Sequence, residues 1–243
     1  MIKHSIVSTA LLAIVLALAI ACAGSAPSSD QASPPASQPT QSESEHPIDP
    51  TAENEFATSM LLTLADFPAG WFHEPDDSDE DEMPNPLDVC FDDEFEGQTG
   101  SALGGEFSDA NTSRLSINPS VYVFGSADDA QKAVESMLPS IKCMAVLIGD
   151  GLELNANVAL GRMYYEPIST DVYEATAAIR IYQTLIIQTQ ERPDTEILVF
   201  DLVTIVDGRI LYLVEGYQRQ TPIDQSLLKL YVDKARAKIR QAP

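Results

Sequence analysis

Twelve carboxylates stand between residues 74 and 96: Glu74, Asp76, Asp77, Asp79, Glu80, Asp81, Glu82, Asp88, Asp92, Asp93, Glu94 and Glu96. No Lys, Arg or His interrupts them. Carboxylates at that density repel one another, and a divalent cation such as Ca2+ would relieve the repulsion. Asp77, Asp79 and Asp81 are the candidate weak metal ligands. The EF-hand pattern fails, because the sixth position from Asp77 is Glu82 where glycine is required, and Pro84 and Pro86 follow. The plain reading is a solvated acidic loop; docking of a basic partner is the other. Gly97, Gly100, Gly104 and Gly105 have the density of a phosphate loop, but no Lys-Ser/Thr follows and the local charge is negative, so they read as a flexible loop. Neither Gly-x-Ser-x-Gly nor His-Glu-x-x-His occurs, and His73 has no triad context. A hydrolase working through two carboxylates stays as a lesser alternative, because the separation of two acids is a three-dimensional fact. No cofactor is implied.

The 243 residues carry 37 Asp+Glu against 14 Lys+Arg, a net charge of −23, with 44% hydrophobic residues. That hydrophobic share suffices for a packed core. The charge argues against nucleic acid as a partner, since phosphate contacts need a basic face. It argues equally against charge-driven adhesion to anionic lipid. At the N-terminus, Lys3 precedes an uncharged apolar stretch over residues 5–21. Ala19-Ile20-Ala21-Cys22 then resembles the lipobox of bacterial lipoproteins, although Ala19 stands where Leu is commonest. That resemblance implies acylation of Cys22, which becomes the first residue of the mature chain. An ordinary secretory signal and an uncleaved anchor helix are the alternatives, and all three place the rest of the chain beyond the cytoplasmic membrane. Residues 1–21 are therefore read as a lipoprotein signal peptide. Residues 22–55 are read as a Ser/Pro-rich disordered tether that cannot bury enough surface to offset its ordering entropy. Residues 56–243 are read as the folded domain.

Cys90 and Cys143 are the thiols that follow Cys22. Outside the membrane, two cysteines in one domain most often pair. A redox-active pair is disfavoured because no Cys-x-x-Cys occurs. A Cys–His nucleophile is disfavoured because His73 is the one histidine of the domain.

The elements that must position these groups can be read from patterning. Thr63-Leu64-Ala65-Asp66 is a capping pattern for a short helix, ended by Pro68-Ala69-Gly70, and Trp71-Phe72 starts an edge segment. Leu115, Ile117, Val121 and Val123 alternate as a bent strand broken at Asn118-Pro119-Ser120. Ser126-Ala127-Asp128-Asp129 opens a helix with Ala130, Val134, Met137 and Leu138 on one face, limited by Pro139. Leu152, Leu154, Ala156, Val158 and Leu160 alternate as one half-wet strand. Residues 173–189 are β-branched and aromatic, residues 191–195 form a loop, and residues 197–206 and 210–217 are strands. Asp207-Gly208 joins the last two in a type I′ hairpin. A final helix takes Thr221 as N-cap, with Leu227, Tyr231, Ala235 and Ile239 as its apolar stripe and Lys234, Arg236, Lys238 and Arg240 toward its C-terminus. The sum is an α+β fold: an antiparallel β-sheet with amphipathic helices packed on one face.

Several of these pieces recur together in one family. Leu61-Leu62-Thr63-Leu64-Ala65-Asp66-Phe67-Pro68-Ala69-Gly70-Trp71 resembles the opening of PknH-type extracellular sensor domains. Phe124-x-Ser126-x-x-Asp129-Ala130 with Cys143 resembles their central helix, and Val206-Asp207-Gly208-Arg209 their last hairpin. The resemblance covers most of residues 60–240. It implies an antiparallel sheet with helices around a ligand cleft, no catalytic set, and a Cys90–Cys143 bridge in the place of the family's first. This chain departs in having no kinase domain and no second bridge, so activation of a linked kinase does not carry over. Trp71, Tyr164, Tyr165 and Tyr173 are the candidate cleft residues. Aromatic residues on a sheet are more often core, yet a cleft lined by them suits an apolar or sugar-like ligand.

The sequence thus points to a noncatalytic lipoprotein, anchored through Cys22 on the extracytoplasmic side of the cell membrane. It would bind a small molecule, lipid, cell-wall fragment or protein as a sensor-like domain. The alternative is a surface interaction protein whose acidic segment docks a basic partner or divalent cations.

Overall fold

The computed structural model describes residues 49–75, 90, 95–109, 115–149, 151–155, 157–187 and 194–242. Among them lie three α-helices: α1 (Pro50–Met60), α2 (Ala127–Ile148) and α3 (Gln225–Gln241). A 3-10 turn spans Leu64–Asp66. The nine strands are β1 (Trp71–Glu74), β2 (Gln98–Leu103), β3 (Glu106–Asp109), β4 (Leu115–Phe124), β5 (Leu152–Asn155), β6 (Val158–Pro167), β7 (Ala177–Ile187), β8 (Asp194–Asp207) and β9 (Ile210–Arg219). Every pairing is antiparallel, in the order β1-β3-β4-β9-β8-β7-β6-β5, with β2 also on β4. The fold is α+β, as the patterning implies. The ordered body starts earlier than expected. The Phe56 boundary falls inside α1, whose Ala57 and Met60 are fully buried.

The helices do not share one face of the sheet. Successive residues of β4 decide this: Tyr122 and Phe124 pack with Ala130, Met137, Ile141 and Met144 of α2. Val121 and Val123 pack with Met60 of α1 and Leu228, Tyr231 and Ala235 of α3. Side chains alternate across a strand, so α2 covers one face and α1 with α3 cover the other. The expectation of one wet face came from the alternating segments. The runs Val121-Tyr122-Val123-Phe124 and Ile210-Leu211-Tyr212-Leu213-Val214 carry the opposite signature, continuous apolarity, which marks strands buried on both sides.

Prolines, glycines and one cap residue account for most other differences. Pro119 does not break β4, which pairs with β9 from Leu115 to Val123 without interruption. On its other side, β2 and β3 form one interrupted strand, Leu103 opposite Ser120 and Phe107 opposite Ile117. The extra residue is a bulge at Gly104–Gly105, where Gly105 has φ +68° and the Gly104 N–H donates to Pro119 O at 2.8 Å. The missing N–H of Pro119 faces that bulge, where no ladder bond is lost. Of the four glycines read as a flexible loop, Gly100 lies in β2, Gly104 and Gly105 form the bulge, and Gly97 stays in a turn. Gly100 lies under α1, where an added Cβ would stand 2.6 Å from Glu53 Cβ.

Pro139 does not limit α2, which runs through it to Ile148. An internal proline costs a helix about 3 kcal/mol. Beyond it Ile141, Met144 and Ile148 are buried, each contributing roughly 1.5–3 kcal/mol. The packing outweighs the proline. The buried stripe is Ala130, Ala133, Met137, Ile141, Met144 and Ile148, while Leu138 is partly exposed. The segment over residues 152–160 is two strands, because the chain reverses between Asn155 and Val158 and pairs Leu152 with Leu160. Its inward parity is the same in both readings, which hid the turn. The last hairpin turns on Gly208 and Arg209, and only Gly208 has positive φ, so it is not the type I′ turn of Asp207-Gly208. The N-cap of α3 is Asp224, not Thr221: Asp224 Oδ1 accepts from Ser226 N at 2.8 Å and Leu227 N at 3.2 Å. Thr221 Oγ1 accepts instead from Gln218 Nε2. Ile223 is buried against Gly216, and this docking sets where the helix starts.

The bulge generates a test. At Gly104 a Cβ would stand 2.5 Å from Pro119 Cγ and 2.9 Å from Pro119 O, whereas at Gly208 nothing lies within 4 Å. Gly104→Ala should lower stability by about 1–3 kcal/mol in urea unfolding. Gly208→Asn, at a positive φ that Asn tolerates, should lose less. The reverse ranking would contradict the bulge opposite Pro119.

Candidate functional site

Strand parity brings a set of polar side chains together on the α2 face of β3, β4 and β9. Ser116 and Asn118 of β4 share the parity of Tyr122 and Phe124, and Glu215 and Tyr217 of β9 share that of Leu211 and Leu213. The registers place Ser108 opposite Ser116, Ser116 opposite Tyr217 and Asn118 opposite Glu215. Glu106 follows on β3. All but the partly buried Tyr217 are sequestered from water: Glu215 is 3% exposed, Asn118 6% and Glu106 8%.

Glu106 Oε1 is the hub. Ser108 Oγ and Ser116 Oγ each donate to it at 2.5 Å, and Tyr217 OH donates at 3.1 Å. The two serine oxygens lie 2.8 Å apart. Asn118 stands beside Glu215, close enough to favour its charged form, yet neither its Oδ1 nor its Nδ2 meets hydrogen-bond geometry with any partner. Burial first, and then the Glu106 carboxyl, push Glu215 up to about 8; Asn118 opposes the rise. No basic side chain is among the causes. The other buried acid of the sheet is treated differently. Asp201, wholly buried on the opposite face, takes a two-pronged contact from Arg180, Nε at 2.6 Å and Nη2 at 2.7 Å. That pair is internally compensated and pins β7 to β8.

The four aromatic residues expected to line one cleft do not come together. Trp71, half-buried, packs on Phe67 and Tyr231, with ring centroids 4.9 and 5.6 Å away. Tyr173 is fully buried in the same α1/α3-side core, where burial pushes its hydroxyl up to about 12. Tyr165 packs against the α2-side core. Tyr164 is exposed and stacks on Tyr182 at 4.3 Å, whose hydroxyl donates to Glu166. The four serve both faces of the sheet and its surface, because neighbouring residues of a strand point apart. His73 stacks on Phe107, and its Nε2 donates to Gly104 O at 2.7 Å, a packing role at the bulge.

The residues of the family-like opening motif are structural in this fold. Thr63 N donates to Asp66 Oδ2 at 2.8 Å, closing the capping box. The Asp66 carboxylate also lies 3.3 Å from Lys238 Nζ, and Lys234 Nζ donates to Asp66 O. Burial is the largest single influence on Asp66 and acts to raise it, but the contacts with Thr63 and Lys238 together outweigh it and hold the carboxyl below the usual range. The lysines read as dipole partners of α3 thus also tie it to the motif. Phe67 stacks on Phe107 and Tyr231 at 4.3 and 4.6 Å.

Cys90 and Cys143 form a disulfide, with Cα atoms 5.5 Å apart. It fastens the half of α2 beyond Pro139 to Cys90, 53 residues upstream, a closure that contributes about 4 kcal/mol in the chain-entropy account. Cys22 and Asp77, Asp79 and Asp81 lie outside the described residues. Among the described residues no helix is long and apolar enough to cross a membrane.

No protein-family model matches the sequence, and no curated protein matches it. Among solved structures the chain is similar to the extracellular domain of PknH from Mycobacterium tuberculosis, at 16% identity and a TM-score of 0.44. The match covers 78% of this chain and 99% of that one. A likeness at that level decides neither family nor function.

Patterning missed the polar cluster because Ser116, Asn118 and Ser120 alternate with apolar residues and read as a wet face. The available signal was Glu215, an acid set at inward parity after Leu211 and Leu213.

The Glu215 environment predicts a pH dependence. Its carboxyl ionises near 4.5 when unfolded and near 8 when folded. The folded state therefore holds the extra proton between those values, and stability falls as pH rises from about 4.5 to 8, then levels. With about 1.4 kcal/mol per unit, the total is of order 5 kcal/mol. Glu215→Gln should be of similar stability to wild type near pH 5 and gain on it steadily toward pH 8.5 in urea unfolding. Parallel curves for the two proteins would contradict the buried acid.

Proposed function

We propose that this chain is a noncatalytic extracytoplasmic lipoprotein, tethered to the membrane through lipid on Cys22, whose folded body binds a ligand or partner as a sensor-like domain. The observation that carries the compartment is the Cys90–Cys143 bridge. Structural disulfides form and persist in oxidising surroundings and are rare where cellular thiols are kept reduced. A bridge from Cys90 to Cys143 of α2 agrees with the export signal read at residues 1–22. The Ser/Pro-rich tether, read over residues 22–55, would hold the folded body off the bilayer. The motif resemblance to PknH-type domains supplies the sensing part of the reading. The noncatalytic part is supported by the packing roles of two kinds of chemistry-bearing residue. His73 packs at a strand bulge, and the two domain cysteines are joined.

Two measurements test this reading. Labelled palmitate should enter the wild-type protein and not Cys22→Ser, with both proteins carrying the intact disulfide. An unlabelled wild type found in the cytosol with free thiols would overturn the compartment. A screen of melting temperature against metabolites, lipids and cell-wall fragments should then find a class that raises it. A ligand at 100 times its Kd adds about 2.7 kcal/mol to the native state. A melting temperature unmoved by every class would overturn the binding role.

A further inference from the structure

The outer edge of β6 is covered by β5 only along Val158–Leu160. A bulge follows at Gly161–Arg162, where the pairing with β7 shifts between Leu160 and Met163. From Met163 to Pro167 the strand pairs with β7 on one side and, among the described residues, with no strand on the other. One step beyond the Pro167–Ile179 pair, the Ile168 N–H donates to Ala178 O at 3.0 Å. Backbone groups alternate sides along an antiparallel strand, so the N–H and C=O of Met163 and Tyr165 point outward, away from β7. Pro167 has no N–H to offer and ends the run. The side chains carry a symmetry of their own. Arg162, Tyr164 and Glu166 are exposed and share one face by parity, and Tyr164 stands midway between the opposite charges. Met163 and Tyr165 turn to the other face, against the α2-side core.

We propose that this edge pairs with the same edge of a second copy of the chain, β6 against β6 about a two-fold axis at Tyr164. In that register Met163 of each copy exchanges both ladder bonds with Tyr165 of the other, so each outward group is met. Arg162 lies opposite Glu166 of the second copy, and the two-fold repeats the pair; cross-strand pairs of opposite charge are stabilising. An arginine has five N–H donors and a carboxylate two oxygens, so these contacts add to those each residue makes in its own chain, such as that from Tyr182 OH to Glu166 Oε1. On the other face the Met163 thioether meets the ring of Tyr165, a favourable contact. The Tyr164–Tyr182 stack, with centroids 4.3 Å apart, continues into its copy. Centring the axis on Tyr165 instead sets Met163 against Pro167 and leaves the Met163 carbonyl without a donor. The bulge and the proline bracket the run, and an isologous contact closes on itself, so pairing stops at two copies. The contact is short, which makes the dimer weak and reversible. It does not rest on the sensor reading.

The test uses the purified full-length protein. Each copy carries a net charge of −23, which opposes association at low salt, so sedimentation is followed at about 0.15 M salt. The wild type should form a reversible dimer as its concentration rises toward about 1 mM. Glu166→Arg should weaken the dimer about tenfold or more, because it sets arginines opposite each other. Adding Arg162→Glu restores opposite charges and should return the dimer to within about threefold of wild type. Both variants lose the Tyr182 contact alike, so the recovery reads the interface and not the fold. On mild oxidation Tyr164→Cys should link to itself, since residues facing across the axis form a non-hydrogen-bonded pair with Cα atoms about 4.5 Å apart. Arg162→Cys should link to Glu166→Cys when the two are mixed, and to itself no more than wild type does. A wild type that stays monomeric overturns the proposal. So does a dimer indifferent to Glu166→Arg, a charge swap without recovery, or a Tyr164→Cys protein that links no more than wild type. Should either charge variant fail to fold, the cysteine links decide by themselves.

Discussion

Because α2 covers one face of β4, β8 and β9 while α1 and α3 cover the other, a polar side chain on those strands must find its partner inside the protein. This constraint organises the molecule. It accounts for the Arg180–Asp201 clamp on one face. It accounts equally for the hydroxyls gathered on Glu106 on the other. Glu215 is the residue for which the constraint is hardest to meet. It is sealed among the core strands beside a second carboxyl, and the cheapest local answer is to keep its proton.

The same two-sided covering gives the disulfide and the opening motif their physical meaning. The Cys90–Cys143 bridge secures the part of α2 that lies beyond Pro139, where the helix has lost one backbone hydrogen bond. On the opposite face Asp66 closes its own turn and takes Lys238, while Phe67 stacks between Phe107 and Tyr231. Each helix layer is thus held by a specific tie, the disulfide on one side and the Asp66–Phe67 motif on the other, as well as by apolar burial.

Much of the fold was legible in local pattern. The capping box at Thr63–Asp66, the N-cap at Ser126, the strands over residues 197–206 and 210–217 and the apolar stripe of α3 rest on nearest-neighbour chemistry that the sequence carries directly. What was not legible depends on partners distant in sequence. Pro119 is tolerated only because Gly104 and Gly105 bulge opposite it. Pro139 is tolerated only because three apolar residues beyond it are buried. Asp224 replaces Thr221 as N-cap because Ile223 docks on Gly216. The candidate site shows the same limit. Trp71, Tyr164, Tyr165 and Tyr173 are near in composition but diverge in space, since parity sends them to different sides. Glu106, Asn118 and Glu215 are far apart in sequence and meet only through the ladder.

The central claim is that burial on both faces leaves Glu215 holding a proton at neutral pH. Infrared spectroscopy of the protein, with its glutamates isotopically labelled, reads that proton directly. At pH 7 one protonated carboxyl band should be present in the wild type and missing from Glu215→Gln. A wild-type spectrum at pH 7 with every glutamate ionised would contradict the account.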